Sequence, residues 1–452
     1  LPGASAYARD QSAVEVARLI QDARHLRQAA SAIEQAAPLG PTTSVLFFEG
    51  DPWNQFGIES LCPDQAETQL PLERRVVSGE HEPVVLNLFN VTNRPLRVRV
   101  LAESPKPGPA VRLMHAVAVP AGNGKPSYDA LPELDASGVI VVPPLTTEQV
   151  WADVDCSGLA PGDYDVTIRC LALNGAGVEE GPTAFYVAIP APVSEARLSL
   201  KVLDFQAAPS SSFHHCNWAY VSGSLLRDYP AATYKDLLDH GTNVFVTNKA
   251  AKATFDDDGR LVGEVDFSAM DEDLSYLRGQ DVIVLLQNPP QLQSASGKYA
   301  EGSEVYKRAL VPFLDALVKH MADFGYSTDN FAYYPFDEPG GDGWPSVNIF
   351  IQRAKLVREA DPRIQIYVDG GPPSMEMYEA MLPYVDIWQS TVHRLPTEGD
   401  LQRLPLMRQK VKQIWTYDGV DEGKTDDVVR NFLADAIYCF VNGITGNGYW
   451  TY

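Results

Sequence analysis

The chain has 452 residues, with 36 Lys plus Arg against 59 Asp plus Glu and a formal net charge of -23. This balance argues against nucleic acid as the main partner, because phosphate binding needs clustered cations, and no apolar run approaches the length of a membrane-spanning helix. The length is that of two or three domains, each able to bury its own core.

Residues 11 to 37 are rich in Ala, Gln, Arg and Leu, and Val14, Ala17, Leu19, Ile20, Ala23, Leu26 and Ala30 recur at helical spacing. The spacing predicts one or two amphipathic helices in an N-terminal segment over 1–42, ended by Pro38 and Pro41. From 43 to 195 short alternating runs take over, such as Val84 to Phe89, Leu96 to Val100, Gly138 to Val142 and Tyr164 to Arg169. Turn signals such as Asn93-Arg94-Pro95 and Pro161-Gly162-Asp163 separate them. This texture predicts an antiparallel β-sandwich, with Pro190-Ala191-Pro192 as a stiff linker at its end.

From 196 to 452 strand-like runs alternate with helical stretches. Ser199–Phe205, Asn243–Thr247, Val282–Gln287, Phe331–Phe336, Ile364–Val368, Val385–Gln389, Val411–Trp415 and Ile444–Trp450 read as eight strands. Alternation of this kind predicts a (β/α)8 TIM barrel. Thr254 to Val265, with Asp258-Gly259 near its centre, reads as a small hairpin excursion. A closing helix is expected after the eighth strand, and the sequence stops at Tyr452 before one.

Five cysteines, Cys62, Cys156, Cys170, Cys216 and Cys439, show no metal-ligand or dithiol spacing. Cys156 and Cys170 are near enough in sequence to bridge a hairpin; the alternative makes them small buried hydrophobes. Asn90-Val91-Thr92 fits a glycosylation acceptor. The start at Leu1-Pro2-Gly3, without Met, reads as a mature or trimmed product, expected to be secreted or periplasmic.

The chemistry concentrates at the predicted strand ends. Phe331-Ala332-Tyr333-Tyr334-Pro335-Phe336 is an apolar run that stops at Asp337-Glu338, before Pro339 and Gly340-Gly341. The doublet therefore caps the fourth barrel strand, at the rim where such folds do chemistry. The bland alternative is a helix N-cap followed by a surface acid. Asn248 ends the second strand and Asp369 the fifth; Trp388 lies on the sixth, with His393 beyond it. Trp415 and Tyr417 lie on the seventh and Trp450 on the eighth. Asp369 reads either as a turn residue or as a second catalytic carboxylate. One rim thus collects aromatics, amides and acids, the mixture that sugars require, and a hydrophobic pocket is expected to hold Glu338 partly protonated. Asp256-Asp257-Asp258-Gly259 lacks calcium-loop spacing, and neither a metal nor a cofactor is expected.

Glycoside hydrolysis normally needs two carboxyl groups on opposite sides of the bond, which adjacent residues cannot easily supply. An Asp-Glu pair suits the substrate-assisted variant instead, in which the sugar's own acetamido group attacks the anomeric carbon. The doublet, the preceding sandwich, Pro161-Gly162-Asp163-Tyr164 and Trp415-Thr416-Tyr417 resemble glycoside hydrolase family 123 over roughly residues 43 to 452. The resemblance implies a β-N-acetylgalactosaminidase acting on an oligosaccharide or polysaccharide, with Asp337 orienting the acetamido group and Glu338 as acid/base. Two further readings stand beside it. One is a glycosidase on a non-acetamido sugar, with Asp369 or Asp418 as the distant partner. The other is a glycan-binding protein without turnover.

Overall fold

The computed structural model describes residues 2–39, 44–53, 69–120, 126–173, 194–206, 212–221, 225–287, 290–391, 398–417 and 433–449. The chain divides into two compact units, Leu1–Ala207 and Ala208–Tyr452. The expected linker at Pro190-Ala191-Pro192, and Cys62, lie outside the described residues.

In the first unit the period-2 runs form β1 (Val45–Gly50), β2 (Gln69–Ser78), β3 (His81–Asn90), β4 (Leu96–Glu103), β5 (Ala110–His115), β6 (Val117–Pro120), β7 (Pro126–Ala130), β8 (Val139–Val142), β9 (Thr147–Asp155), β10 (Gly162–Leu173) and β11 (Ser194–Gln206). Two sheets, ordered β1-β3-β9-β5 and β2-β11-β10-β4-β8, share one core. Alternate residues such as Val166, Ile168 and Cys170 on β10 turn into it. The sandwich is not wholly antiparallel: β11 runs parallel to β2. Ser199–Phe205, expected as the first barrel strand, belongs to β11, so the unit ends at Ala207 rather than near 195. Its apolar alternation is equally suited to a sandwich strand, and only pairing decides. Tyr164 donates its hydroxyl to the Ala160 carbonyl at 3.0 Å, a tyrosine corner of the kind found in sandwich domains.

Helix α1 (Pro2–Ala36) is one helix. It packs through Ala29, Ala32 and Ala36 onto Leu46, Phe48 and Phe89, on the outer face of the four-stranded sheet. Leu19, Ile20 and Leu26, expected as its core face, are exposed. Small residues let the helix approach closely, and that approach won over side-chain bulk. Among the described cysteines, Cys156, Cys170, Cys216 and Cys439 are free and buried. No described helix is long and apolar enough to cross a membrane.

In the second unit β12 (His214–Cys216), β13 (Val244–Thr247), β14 (Ile283–Gln287), β17 (Phe331–Tyr334), β18 (Gln365–Asp369), β19 (Ile387–Thr391), β20 (Gln413–Tyr417) and β21 (Gly446–Gly448) close into a parallel barrel in that order. The minor strands β15 (Gln293–Ser294) and β16 (Gly297–Lys298) form a separate hairpin. Helices α2 (Pro230–Asp239), α3 (Ser268–Leu277), α4 (Glu304–Asp323), α5 (Trp344–Ala360), α6 (Met375–Met381), α7 (Glu398–Lys410) and α8 (Asp435–Asn442) each fall between consecutive barrel strands. The excursion after β13 closes as a hairpin, with Phe255 bridging Leu261.

Strand alternation splits the barrel residues into two sets. Phe331, Tyr333, Ile366, Val368 and Trp388 join the helix-side core, while Ala332, Tyr334, Tyr367, Ile387, Trp415 and Tyr417 fill the interior. The seam between last and first strands is held by polar side chains. His215 Nδ1 meets Asn447 Oδ1 at 2.6 Å, and Asn447 Nδ2 donates to Asp435 of α8 at 3.1 Å. On β21 only glycine fits the inner face: a Cβ at Gly448 would lie 2.0 Å from Gln389 Nε2.

The glycosylation reading of Asn90 fails. Asn90 is fully buried, and its Nδ2 contacts the carbonyls of Arg94 at 2.8 Å and of Val142 and Pro143 at 3.0 Å. Asn90→Ala strips several buried backbone groups of their partner. It is expected to lower stability by about 2–3 kcal/mol, read as a shift in the urea midpoint with an unchanged slope.

Candidate active site

The site is built where β17 ends. Tyr334 turns into the barrel, and the chain leaves the strand through Pro335 and Phe336. Arg353 of α5 fixes that exit. It donates to the Pro335 carbonyl at 2.9 Å, lies over the Phe336 ring at 5.9 Å, and is itself paired with Glu301 at 2.8 Å. Beyond the doublet, the Gly340 N–H donates to Ser346 Oγ at 2.9 Å, tying the loop to the start of α5. Asp337 and Glu338 between these anchors are both exposed.

Glu338 has φ of 44°, one of two non-glycine residues with positive φ among those described. A carboxylate residue held in left-handed backbone is strained by about 1–2 kcal/mol, and such strain concentrates at functional positions. The fifth-strand loop packs beside it: Gly370 has φ 71°, backbone that side-chain-bearing residues rarely adopt, and a Cβ built there would lie in contact with Glu338 Cβ and Cγ at 3.4 Å. Trp388 Nε1 donates to the Gly370 carbonyl at 3.0 Å from outside the barrel wall.

Two carboxyl groups meet on one phenol, and the backbone of Glu338 joins them. The Tyr334 hydroxyl lies 2.5 Å from Asp337 Oδ1 and 2.6 Å from Asp369 Oδ2, and the Glu338 N–H donates to Asp369 Oδ1 at 2.9 Å. Asp369 is 2% exposed. Burial pushes its carboxyl up to about 8; the charges of Asp337 and Glu338 push the same way, and the bonds from Tyr334 and the Glu338 amide oppose them. Burial likewise raises the Tyr334 phenol, with the neighbouring carboxylates adding to it. The desolvation expected at Glu338 falls on Asp369, because period-2 geometry turns the last residue of β18 inward.

Aromatic rings floor this group. Trp218 contacts Tyr334 at 5.8 Å, Tyr417 at 6.0 Å, and Tyr220 and Tyr367 at 6.3 Å between ring centroids. Its Nε1 is buried without a hydrogen-bond partner among the described residues. The Tyr367 hydroxyl donates to Gln389 Oε1, and Gln389 donates to the Thr416 carbonyl at 2.9 Å. Among the described residues, no three His, Cys, Asp or Glu side chains cluster as metal ligands.

The residues named from sequence separate on this geometry. Asp337, Glu338 and Asp369 converge, and Tyr417 lies near all three. Asp369 is buried behind Tyr334, which removes it from direct contact with a ligand. Trp415 is fully buried inside the barrel, and Asn248 is exposed after β13. Trp388 is corrected: it is fully buried on the helix side, stacked on Tyr378 at 4.6 Å, because its neighbour Gln389 takes the inner position. His393, Asp418 and Trp450 lie outside the described residues. Sequence reasoning missed Tyr334 as a functional residue. Counting alternation back along β17 and β18 puts Tyr334 and Asp369 on one face, a signal that was present.

The left-handed backbone at 338 gives a measurable expectation. Glu338→Gly is expected to be more stable than Glu338→Ala by roughly 1 kcal/mol, since only glycine escapes the Cβ penalty, as read from chemical denaturation. Glu338→Ala at least as stable as Glu338→Gly would show that the backbone relaxes there.

No protein-family profile and no curated protein matches the chain. Among solved structures, one reported for glycolipid glycan hydrolysis by a family 123 glycoside hydrolase from Clostridium perfringens has a TM-score of 0.63 at 11% identity, covering 91% of this chain and 78% of that one. A Bacteroides uniformis β-glucuronidase gives 0.33 at 9% identity over 90% of this chain and 45% of that one. A β-galacturonidase from Eisenbergiella tayi gives 0.32 at 10% over 91% and 64%. The chain resembles the family 123 glycoside hydrolase in fold, across both of its units.

Proposed function

We propose that this chain is a glycoside hydrolase that releases β-linked N-acetylhexosamine, N-acetylgalactosamine in the first instance, by substrate-assisted hydrolysis with retention. The observation that carries the reading is the vicinal pair Asp337-Glu338, exposed at the end of the fourth strand of a closed parallel barrel, with Asp337 held by Tyr334. The likeness in fold to a family 123 glycoside hydrolase supports it, as does the aromatic floor beneath. The barrel is read as a (β/α)8 catalytic barrel, and the protein as secreted or periplasmic.

In the proposed reaction the acetamido carbonyl oxygen attacks the anomeric carbon while the glycosidic C–O bond breaks. Glu338 gives its proton to the leaving oxygen, and the Asp337 carboxylate accepts the acetamido N–H and faces the positive charge of the oxazolinium ion. Glu338, now a carboxylate, takes a proton from water as the water oxygen bonds to the anomeric carbon and the bond from that carbon to the acetamido oxygen breaks, which restores the configuration. All atoms come from substrate, water and these two side chains.

The reading with Asp369 as nucleophile is disfavoured by its burial behind Tyr334. The readings are separated by aryl 2-acetamido-2-deoxy-β-galactosides and -glucosides assayed beside the matching 2-hydroxy glycosides. Turnover is expected only with the acetamido series. Glu338→Gln and Asp337→Asn are each expected to lose at least about 10²-fold in kcat, with KM little changed. Equal turnover of the 2-hydroxy series would refute the assisted mechanism. Glycan binding without hydrolysis, unchanged by Glu338→Gln, would refute the enzyme.

A further inference from the structure

The Tyr334 hydroxyl has one proton and two carboxyl neighbours, at 2.5 and 2.6 Å. Oxygen atoms at that separation require a hydrogen between them. The phenol can donate to one carboxylate only, so the other contact needs a second proton, carried by a carboxyl group. Asp337 is exposed, whereas Asp369 is 2% exposed, and a buried acid is the cheaper place to leave neutral. Its other oxygen is already committed as acceptor of the Glu338 N–H.

We propose that Asp369 is a positioning residue that stays protonated at neutral pH. It donates to Tyr334, which in turn donates to Asp337, so that one chain of hydrogen bonds sets the Asp337 head while the Glu338 backbone is held by the same carboxyl group. This inference rests on the reading of Asp337-Glu338 as the reacting pair, and adds the device that orients them. The groups facing Asp369 from the packed elements are Cys216, Tyr220, Tyr367 and Tyr417, besides Tyr334 and the doublet. All are neutral or acidic, so none provides a positive charge that would favour its ionised form.

The sign of the pH dependence follows. The carboxyl is raised from 3.8 to about 8 in the folded chain. The folded state therefore holds a proton that the unfolded state releases, and the stability so contributed is complete below pH 4 and is lost as pH rises to about 8. Asn at 369 mimics the neutral acid: its Nδ2 donates to Tyr334 and its Oδ1 accepts the Glu338 N–H, with nothing to titrate.

The test compares wild type, Asp369→Asn, Asp369→Ala and Tyr334→Phe by thermal midpoint and by pH–rate profile on an aryl 2-acetamido-β-galactoside. Asp369→Asn is expected to flatten the fall in thermal midpoint between pH 5 and 8, and to keep kcat within about tenfold of wild type. Asp369→Ala and Tyr334→Phe are expected to lose about 10²-fold in kcat with KM little changed. Asp369→Asn as inactive as Asp369→Ala, or a thermal midpoint with the same pH slope as wild type, overturns the proposal. If no acetamido glycoside is turned over by wild type, the proposed function fails and the thermal comparison still decides where the proton sits.

Discussion

One phenol hydroxyl is shared between two carboxyl groups, and the arrangement of the rim depends on it. Tyr334 stands at the top of the barrel interior with Asp337 on one side and Asp369 on the other. A shared hydroxyl with short contacts calls for one protonated carboxyl group, and burial places that proton on Asp369 and so assigns unlike roles to like residues. The exposed acid is left to face a ligand; the buried one becomes part of the scaffold. Burial creates the distinction, since a carboxyl group withdrawn from water gives up its charge before it gives up its hydrogen bonds.

The fold supplies the supports from outside the barrel. Arg353 on α5 grips the backbone at Pro335, Ser346 catches Gly340, and Trp388 reaches through the wall to the Gly370 carbonyl. These contacts over-determine a loop that would otherwise relax the left-handed backbone at Glu338. Bulky interior residues such as Trp415 are tolerated because β21 carries glycines opposite them, a Cβ at Gly446 falling 2.6 Å from the Trp415 ring.

Much of this was legible in the sequence. The apolar run ending in Asp337-Glu338 was read as the fourth barrel strand, and the strand order bears this out. The helical stretches expected between the strands are found as α2 to α8, one between each consecutive pair of barrel strands. The first barrel strand was misplaced, because Ser199–Phe205 has the alternation of any half-buried strand and pairs with β10 and β2 instead. Trp388 was misassigned for want of a face: composition marks an aromatic as notable, and only register tells which side of the wall it takes. The roles of Asp369 and Tyr334 were hidden for the same reason, since the contact spans two strands thirty-five residues apart.

The most direct measurement is infrared difference spectroscopy of the folded chain at pH 7, wild type against Asp369→Asn. The account predicts that wild type shows the carbonyl stretch of a buried protonated carboxylic acid and that the variant lacks it. A difference spectrum containing only carboxylate bands would contradict the account, because Asp369 would then be charged and the proton that the shared hydroxyl requires would not sit on the buried acid.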